Sequence, residues 1–185
     1  MNQKTNTKKT LIRISFTALF AALTAGAAFF SIPIGAVPIV LQNMFAVLSG
    51  LILGPVLGGA ALLLFLLAGA IGFPVFSGGT GGLVHFAGPT GGYLIGYFLA
   101  AVLAGLIAGK ASYKRKPVRI IIAVISGFLV IYIPGLLRLN MLFDLNLAGL
   151  LGIGLFPFLL GDLLKAAAAI LIAPRLRRIA SDFLD

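Results

Sequence analysis

A chain of 185 residues in which 61% are hydrophobic and only 10% charged cannot clothe a soluble surface, which takes roughly 25% charged residues, so it reads as an integral membrane protein. It has no cysteine, no glutamate, four aspartates and one histidine, which excludes thiol chemistry and disulfides and leaves little from which to build a metal centre or a two-carboxylate hydrolytic site. The net charge of +10 would suit nucleic acid, but twelve of the fourteen cations flank apolar runs, as cytoplasmic loops do under the positive-inside rule, so no nucleic-acid partner is expected.

Lys4, Lys8, Lys9 and Arg13 lead into a first apolar run over 11–30, which ends at the Pro33 and Pro38 loop. A basic start and an apolar run also mark a secretory signal, with Ala25-Gly26-Ala27 resembling a cleavage site. This run exceeds the roughly 7 to 15 apolar residues of a signal core and more spans follow, so it is read as retained. Within it Ala18, Ala22 and Gly26 recur every four residues, with Ala21 and Ala25 beside them. That smooth stripe suits close approach of another helix, from this chain or from a partner. The second span, about 39–53, is short and begins with Gln42 and Asn43, amides that need partners in hydrocarbon, either across helices or in a cavity. Gly54-Pro55 then turns the chain tightly into a third span, 56–73.

The connection from Pro74 to Gly92 is rich in glycine. Consecutive turn conformations at Gly78, Gly79, Thr80, Gly81 and Gly82 can aim several backbone N–H groups at one anion. The loop is therefore either a carboxylate cradle or a flexible outer connection, and no GK[ST] makes it a P-loop. His85 lies between Val84 and Phe86, as a hydrogen-bonding wall residue or a direct ligand contact. Thr90 and Tyr93 open the fourth span, 91–108, which runs into Lys110, Lys114, Arg115, Lys116 and Arg119. The fifth apolar run extends from Ile120 to Ile133 within a span placed at about 120–137. It stops at Pro134-Gly135, because proline removes a helix donor and disfavours helix before it. The sixth, 154–173, stops at Pro174, ahead of Arg175, Arg177 and Arg178.

These readings give one all-α membrane domain over 1–185 with six transmembrane helices. Even crossing number puts all three basic clusters, both termini included, on the cytoplasmic side. The loops Ser31–Pro38, Pro74–Gly92 and Pro134–Leu151 then lie outside, the last two long enough to form a lid or a pocket wall.

Asp162 and Lys165 stand inside the sixth span, on nearly the same helix face at spacing i, i+3. Each charge at membrane depth costs between about 3 and more than 10 kcal/mol, and a buried ion pair often adds little stability over an apolar replacement. A structural clasp and a donor–acceptor pair for a small polar ligand are the competing readings, and the default is a site.

The segments TALFAALTA (17–25), VPIVLQN (37–43), GLILGPVLGG (50–59), AIGFPVF (70–76), GPTGGYLIGY (88–97) and GDLLKAA (161–167) together resemble the BioY family, the biotin-binding substrate components of energy-coupling factor transporters. The resemblance covers nearly the whole chain in the family's order. Residues 133–146, IPGLLRLNMLFDLN, are more polar than the family pattern, and this leaves Arg138 and Asp144 without an inherited role beyond an exposed pair.

The resemblance implies a multi-pass protein of a prokaryotic plasma membrane that captures biotin from outside. Uptake would require a transmembrane coupling subunit and two ATPases, because the chain has no Walker sequence. It further implies a binding protein that is not an enzyme and has no cofactor, reorienting in the membrane when the coupling subunit engages it, with Ala18 and Ala22 as the docking stripe. On this reading Asp162 accepts from the ureido ring and Lys165 donates to its carbonyl. Phe73, Phe76, Phe86 and Tyr93 line an apolar slot, with the Tyr93 hydroxyl as a handle. The carboxylate lies under Gly78–Gly82 near Thr90, with the reverse orientation also open. Riboflavin or thiamin is the alternative ligand, disfavoured because the chain has no tryptophan and four tyrosines for stacking.

Overall fold

The computed structural model describes residues 2–109 and 117–184, with side chains described for 7–109 and 117–184. The basic cluster Lys110, Lys114, Arg115 and Lys116 and the side chain of Lys4 lie outside the described residues. In chain order the elements are α1 (Asn2–Gly26), a 3-10 turn (Ala27–Phe29), strands β1 (Ser31–Ile32) and β2 (Ile39–Val40), then α2 (Gln42–Ala70), α3 (Val84–Ala87), α4 (Gly91–Ala108), α5 (Pro117–Phe143), α6 (Leu147–Gly154) and α7 (Phe156–Leu184). Five helices among the described residues are long and apolar enough to cross a membrane. Their outward faces carry exposed Leu, Ile and Val side chains, such as Leu19, Leu63, Ile122 and Leu171, which suit hydrocarbon and would be costly in water.

Helix α2 covers both the second and the third apolar run. It breaks at Gly54, where φ is 82° and ψ is 179°, a conformation that glycine adopts without penalty. The break reverses the chain. Gly50 and Gly58 would stand about 12 Å apart on a continuous helix, yet a Cβ built on Gly58 would lie 2.7 Å from the Gly50 Cα. The arms 42–53 and 55–70 therefore run back along each other, and α4 seats in the same place: a Cβ on Gly105 would meet the Pro55 nitrogen at 2.5 Å.

Proline does not end the later helices. Pro134 lies inside α5 and Pro174 inside α7, which corrects the stops read from sequence. Each proline frees one carbonyl, a cost that neighbouring packing can absorb in a spanning helix. At Pro134 the neighbour is glycine-faced, because a Cβ on Gly92 or Gly96 of α4 would overlap the Pro134 or Ile131 backbone. The long outer loop expected over 134–151 is accordingly absent. Its first part continues α5 and its last part forms α6, which is capped by the Asn146 side chain accepting from the Gly149 amide at 2.8 Å. The expected all-α fold also gains a two-residue antiparallel ladder, Ser31 opposite Val40 and Ile32 opposite Ile39.

Arginines tie one end of the bundle together. Arg177 is 3% exposed and donates to the carbonyls of Leu51, Ala108 at 3.3 Å and Gly109 at 3.0 Å. It thereby satisfies terminal carbonyls where α4 ends and the first arm of α2 reverses. Arg119 donates to the Ile107 carbonyl and Arg13 to that of Leu184 at 3.4 Å, so the described members of the three basic clusters share this end.

Candidate functional site

At the opposite end, two chambers meet beneath the β1–β2 hairpin. The larger, about 230 Å³, has Gln42, Phe76, Ser77, Thr80, His85 and Thr90 on its wall. The smaller, about 30 Å³, is bounded by Asn43, Ile131, Tyr132, Phe158, Asp162 and Lys165. Val37, Pro38, Val40, Tyr93 and Tyr97 line both, so the chambers are adjacent and the hairpin forms their shared roof.

The polar floor of the small chamber is a closed network. Asp162 Oδ1 accepts from Asn43 Nδ2 at 2.9 Å and pairs with Lys165 Nζ at 2.6 Å, while Oδ2 accepts from the Tyr132 hydroxyl at 2.5 Å. Lys165 Nζ also donates to Asn43 Oδ1 and to the Val40 carbonyl, both at 2.9 Å. The ammonium has three hydrogens, and all three are used. Asn43 is fixed in orientation, because its oxygen faces a donor-only group and its nitrogen an acceptor-only group. A carboxylate offers about four acceptor positions and a primary amide two hydrogens. With three donors already on Asp162 and one Asn43 hydrogen spent, one acceptor position and one amide hydrogen remain on a wall that is otherwise apolar and aromatic. The arrangement can take a small neutral group that both donates and accepts.

Other expected residues are placed differently. Gln42 is buried and Nε2 donates to the Thr24 carbonyl at 3.2 Å and the Val75 carbonyl at 2.8 Å, stapling α1 and the glycine-rich loop together while lining the large chamber. The glycine cradle does not form. The amides of Gly79 and Thr80 go to the Phe76 carbonyl, that of Gly78 to Ala28 and that of Gly82 to Gly69, so these N–H groups are spent on the loop's own fold. A Cβ on Gly81 would lie 2.2 Å from the Phe73 carbonyl, making that glycine a packing requirement. From this segment only Ser77 and Thr80 reach the chamber wall.

His85 and Thr90 do reach it, with His85 edge-on to Phe76 at 5.5 Å between ring centroids and the Thr90 hydroxyl donating to the His85 carbonyl at 3.4 Å. The Tyr93 ring lines both chambers, but its hydroxyl donates to the Gly154 carbonyl at 2.7 Å, so it anchors α6 and is no free handle. Of the phenylalanines expected in the slot, Phe76 lines it, Phe86 packs behind Phe76 at 5.7 Å, and Phe73 is exposed.

Sequence reasoning missed Tyr132, Tyr97 and the roof residues Val37 and Pro38. Tyr97 had a signal, the i, i+4 spacing from Tyr93 on one helix face. Tyr132 had none, because thirty residues separate it from Asp162. On the outer face of α1, Ala18, Ala22 and Gly26 are exposed, and Ala22 and Gly26 border an open apolar groove of about 370 Å³ with Leu19, Leu23, Leu41 and Phe45. Arg138 and Asp144 form no ion pair.

The comparisons with known proteins agree with one another. The family model described as "BioY family" matches residues 1–182. A probable biotin transporter BioY of Pyrococcus horikoshii is 43% identical over 164 residues, covering 89% of this chain and 95% of that protein. The biotin transporter BioY of Thermotoga maritima is 39% identical, covering 87% and 93%. Among solved structures, the S-component for biotin from an ECF-type ABC transporter superposes with a TM-score of 0.83 at 32% identity, covering 96% of this chain and 95% of that one.

Proposed function

The chain belongs to the BioY family of multi-pass cell-membrane proteins, and from that premise we propose that it captures biotin for uptake at the two-chambered site, opening to the exterior. The solved relative is the biotin S-component of an ECF-type transporter; by analogy, this chain works with a transmembrane coupling subunit and two ATPases that drive release to the cytoplasm. Counting the two arms of α2 separately gives six crossings, and the shared end of the basic clusters is then cytoplasmic with both termini.

The observation that carries the ligand reading is the bonding left over at α7. Biotin's ureido ring has two N–H donors and one carbonyl acceptor. Asp162 takes a ring N–H at its remaining acceptor position, and the free Asn43 hydrogen donates to the ring carbonyl. Lys165 pairs with the carboxylate and can exchange its bond to the Val40 carbonyl for one to the ligand. Phe76, Tyr93 and Tyr97 flank the thioether ring. The tail then extends into the large chamber toward Gln42, Thr80, His85 and Thr90, with Gly78, Gly79, Gly81 and Gly82 shaping the loop that presents Thr80. The exposed Ala18 and Ala22 stripe serves as the docking surface for the coupling subunit.

Calorimetric titration of the purified protein with biotin, riboflavin and thiamin tests this reading. One biotin per chain should bind, with no measurable heat from the other two vitamins. Binding of either of the aromatic vitamins in preference to biotin would overturn it.

A further inference from the structure

Most hydrogen-bond donors on the wall of the large chamber are already spent. Gln42 Nε2 gives its two hydrogens to the Thr24 and Val75 carbonyls, which leaves that side chain only an acceptor. The Thr80 hydroxyl donates to the Ser77 carbonyl at 3.0 Å, that of Thr90 to His85 and that of Tyr93 to Gly154. The loop amides of Gly78, Gly79, Thr80 and Gly82 are bound within the fold. Three side chains on the wall keep a free donor: Ser77, His85 and Tyr97. Tyr97 also lines the small chamber, which places it beside the ring of a ligand held at Asp162. Ser77 and His85 line the large chamber alone.

His85 is firmly mounted. Its ring packs at 66° to that of Phe76, which is 2% exposed and sits between Phe65 and Phe86 at 5.6 and 5.7 Å. Two glycines make this packing possible, because a Cβ on Gly69 would lie 2.0 Å from the Phe76 ring and one on Gly91 would lie 2.0 Å from the Phe86 carbonyl oxygen. The imidazole is thus held by apolar contacts, and it makes no hydrogen bond among the described residues. An imidazole carries at least one N–H in either protonation state. It is also the one side chain lining this chamber that can become a cation. Asp162 and Lys165 pair with each other in the small chamber, and no carboxylate lines the large one to compete for the ring.

We propose that His85 is the specificity-determining residue for the ligand's carboxylate, donating a ring N–H to it within the large chamber. A charge-assisted bond is roughly twice as strong as a neutral one, so the site prefers an acid to a neutral-tailed analogue. The inference rests on the biotin reading above and assigns the end of the ligand that reading leaves without a named donor.

The experiment compares biotin with its primary amide by calorimetry in wild type, His85→Phe, His85→Gln and Ser77→Ala. Wild type should prefer the acid by about tenfold, the scale separating a charge-assisted from a neutral hydrogen bond. His85→Phe keeps an aromatic ring against Phe76 and removes both nitrogens, so it should erase the preference by weakening biotin about tenfold more than the amide. His85→Gln retains a neutral donor and should keep part of the preference, and Ser77→Ala should keep most of it. Retained amide binding shows that each variant is folded, and if His85→Phe binds neither ligand the same comparison in His85→Gln decides. Equal affinity of wild type for acid and amide would overturn the proposal without any variant. So would a full acid preference in His85→Phe, an equal loss of both ligands in both His85 variants, or loss of the preference in Ser77→Ala alone. Wild type that binds neither ligand contradicts the biotin reading instead, and the two failures are distinguishable.

Discussion

Asp162→Asn is expected to weaken biotin binding by at least about a hundredfold in calorimetric titration, since it takes the ionised acceptor from the ring N–H and strands the Lys165 ammonium. Asp162 is 8% exposed and receives Asn43, Lys165 and Tyr132 together. An amide there presents two hydrogens where three donors already converge. Breaking a buried ion pair by removing one partner also costs about 3–5 kcal/mol of stability, so affinity has to be separated from folding. The double variant Asp162→Asn with Lys165→Met does this. Removing the orphaned ammonium should recover much of the melting temperature lost in the single variant, while biotin binding stays lost. Full affinity in Asp162→Asn, or recovery of binding together with stability in the double variant, would make the pair a structural clasp only.

Gly50→Val carries the largest expected effect on the fold. A Cβ at this position would lie 1.9 Å from the Ala101 carbonyl oxygen and 2.7 Å from its carbon. Both are backbone atoms, so no side-chain rotation relieves the overlap, and α2 and α4 must separate along their length. They are also held together by Gly59 against Val102 and Phe98 and by Gly105 against the Gly54–Pro55 turn. Overpacking a well-packed interface costs about 1–3 kcal/mol and sometimes more. The variant should lower the melting temperature sharply and reduce the yield of monodisperse protein in size-exclusion chromatography. Gly152→Ala on α6, where a Cβ meets nothing within 4 Å, is the matched control and should leave both unchanged. A wild-type melting temperature for Gly50→Val would contradict the close α2–α4 contact.

Hydrophobicity made the long helices legible, because a lipid-exposed segment must be apolar all along and must satisfy its own backbone. Gly54-Pro55 announced the reversal within α2 for the same local reason. The prolines at 134 and 174 misled because their cost in isolation is set by one lost hydrogen bond, whereas in the bundle it is set by what packs beside them. At Pro134 that neighbour is the glycine face of α4, a tertiary fact. Asp162 and Lys165 were legible because charge in an apolar run needs a reason that can be stated from one helix. Tyr132 was not, since a tyrosine in a spanning helix is unremarkable until another helix places a carboxylate 2.5 Å away. The glycine cradle failed for an accounting reason. Spacing says that amides can converge, but it does not say that Phe76, Ala28 and Gly69 already accept them.

The central claim is that the polar cluster on α7 holds a ring urea, and a crystal structure of the protein with biotin bound tests it most directly. A ring nitrogen should lie within about 3 Å of Asp162 Oδ2, with the ring carbonyl facing Asn43 and the tail directed toward His85 and Thr90. Biotin bound at another place, with Asp162 still engaged only by Asn43, Lys165 and Tyr132, would contradict it.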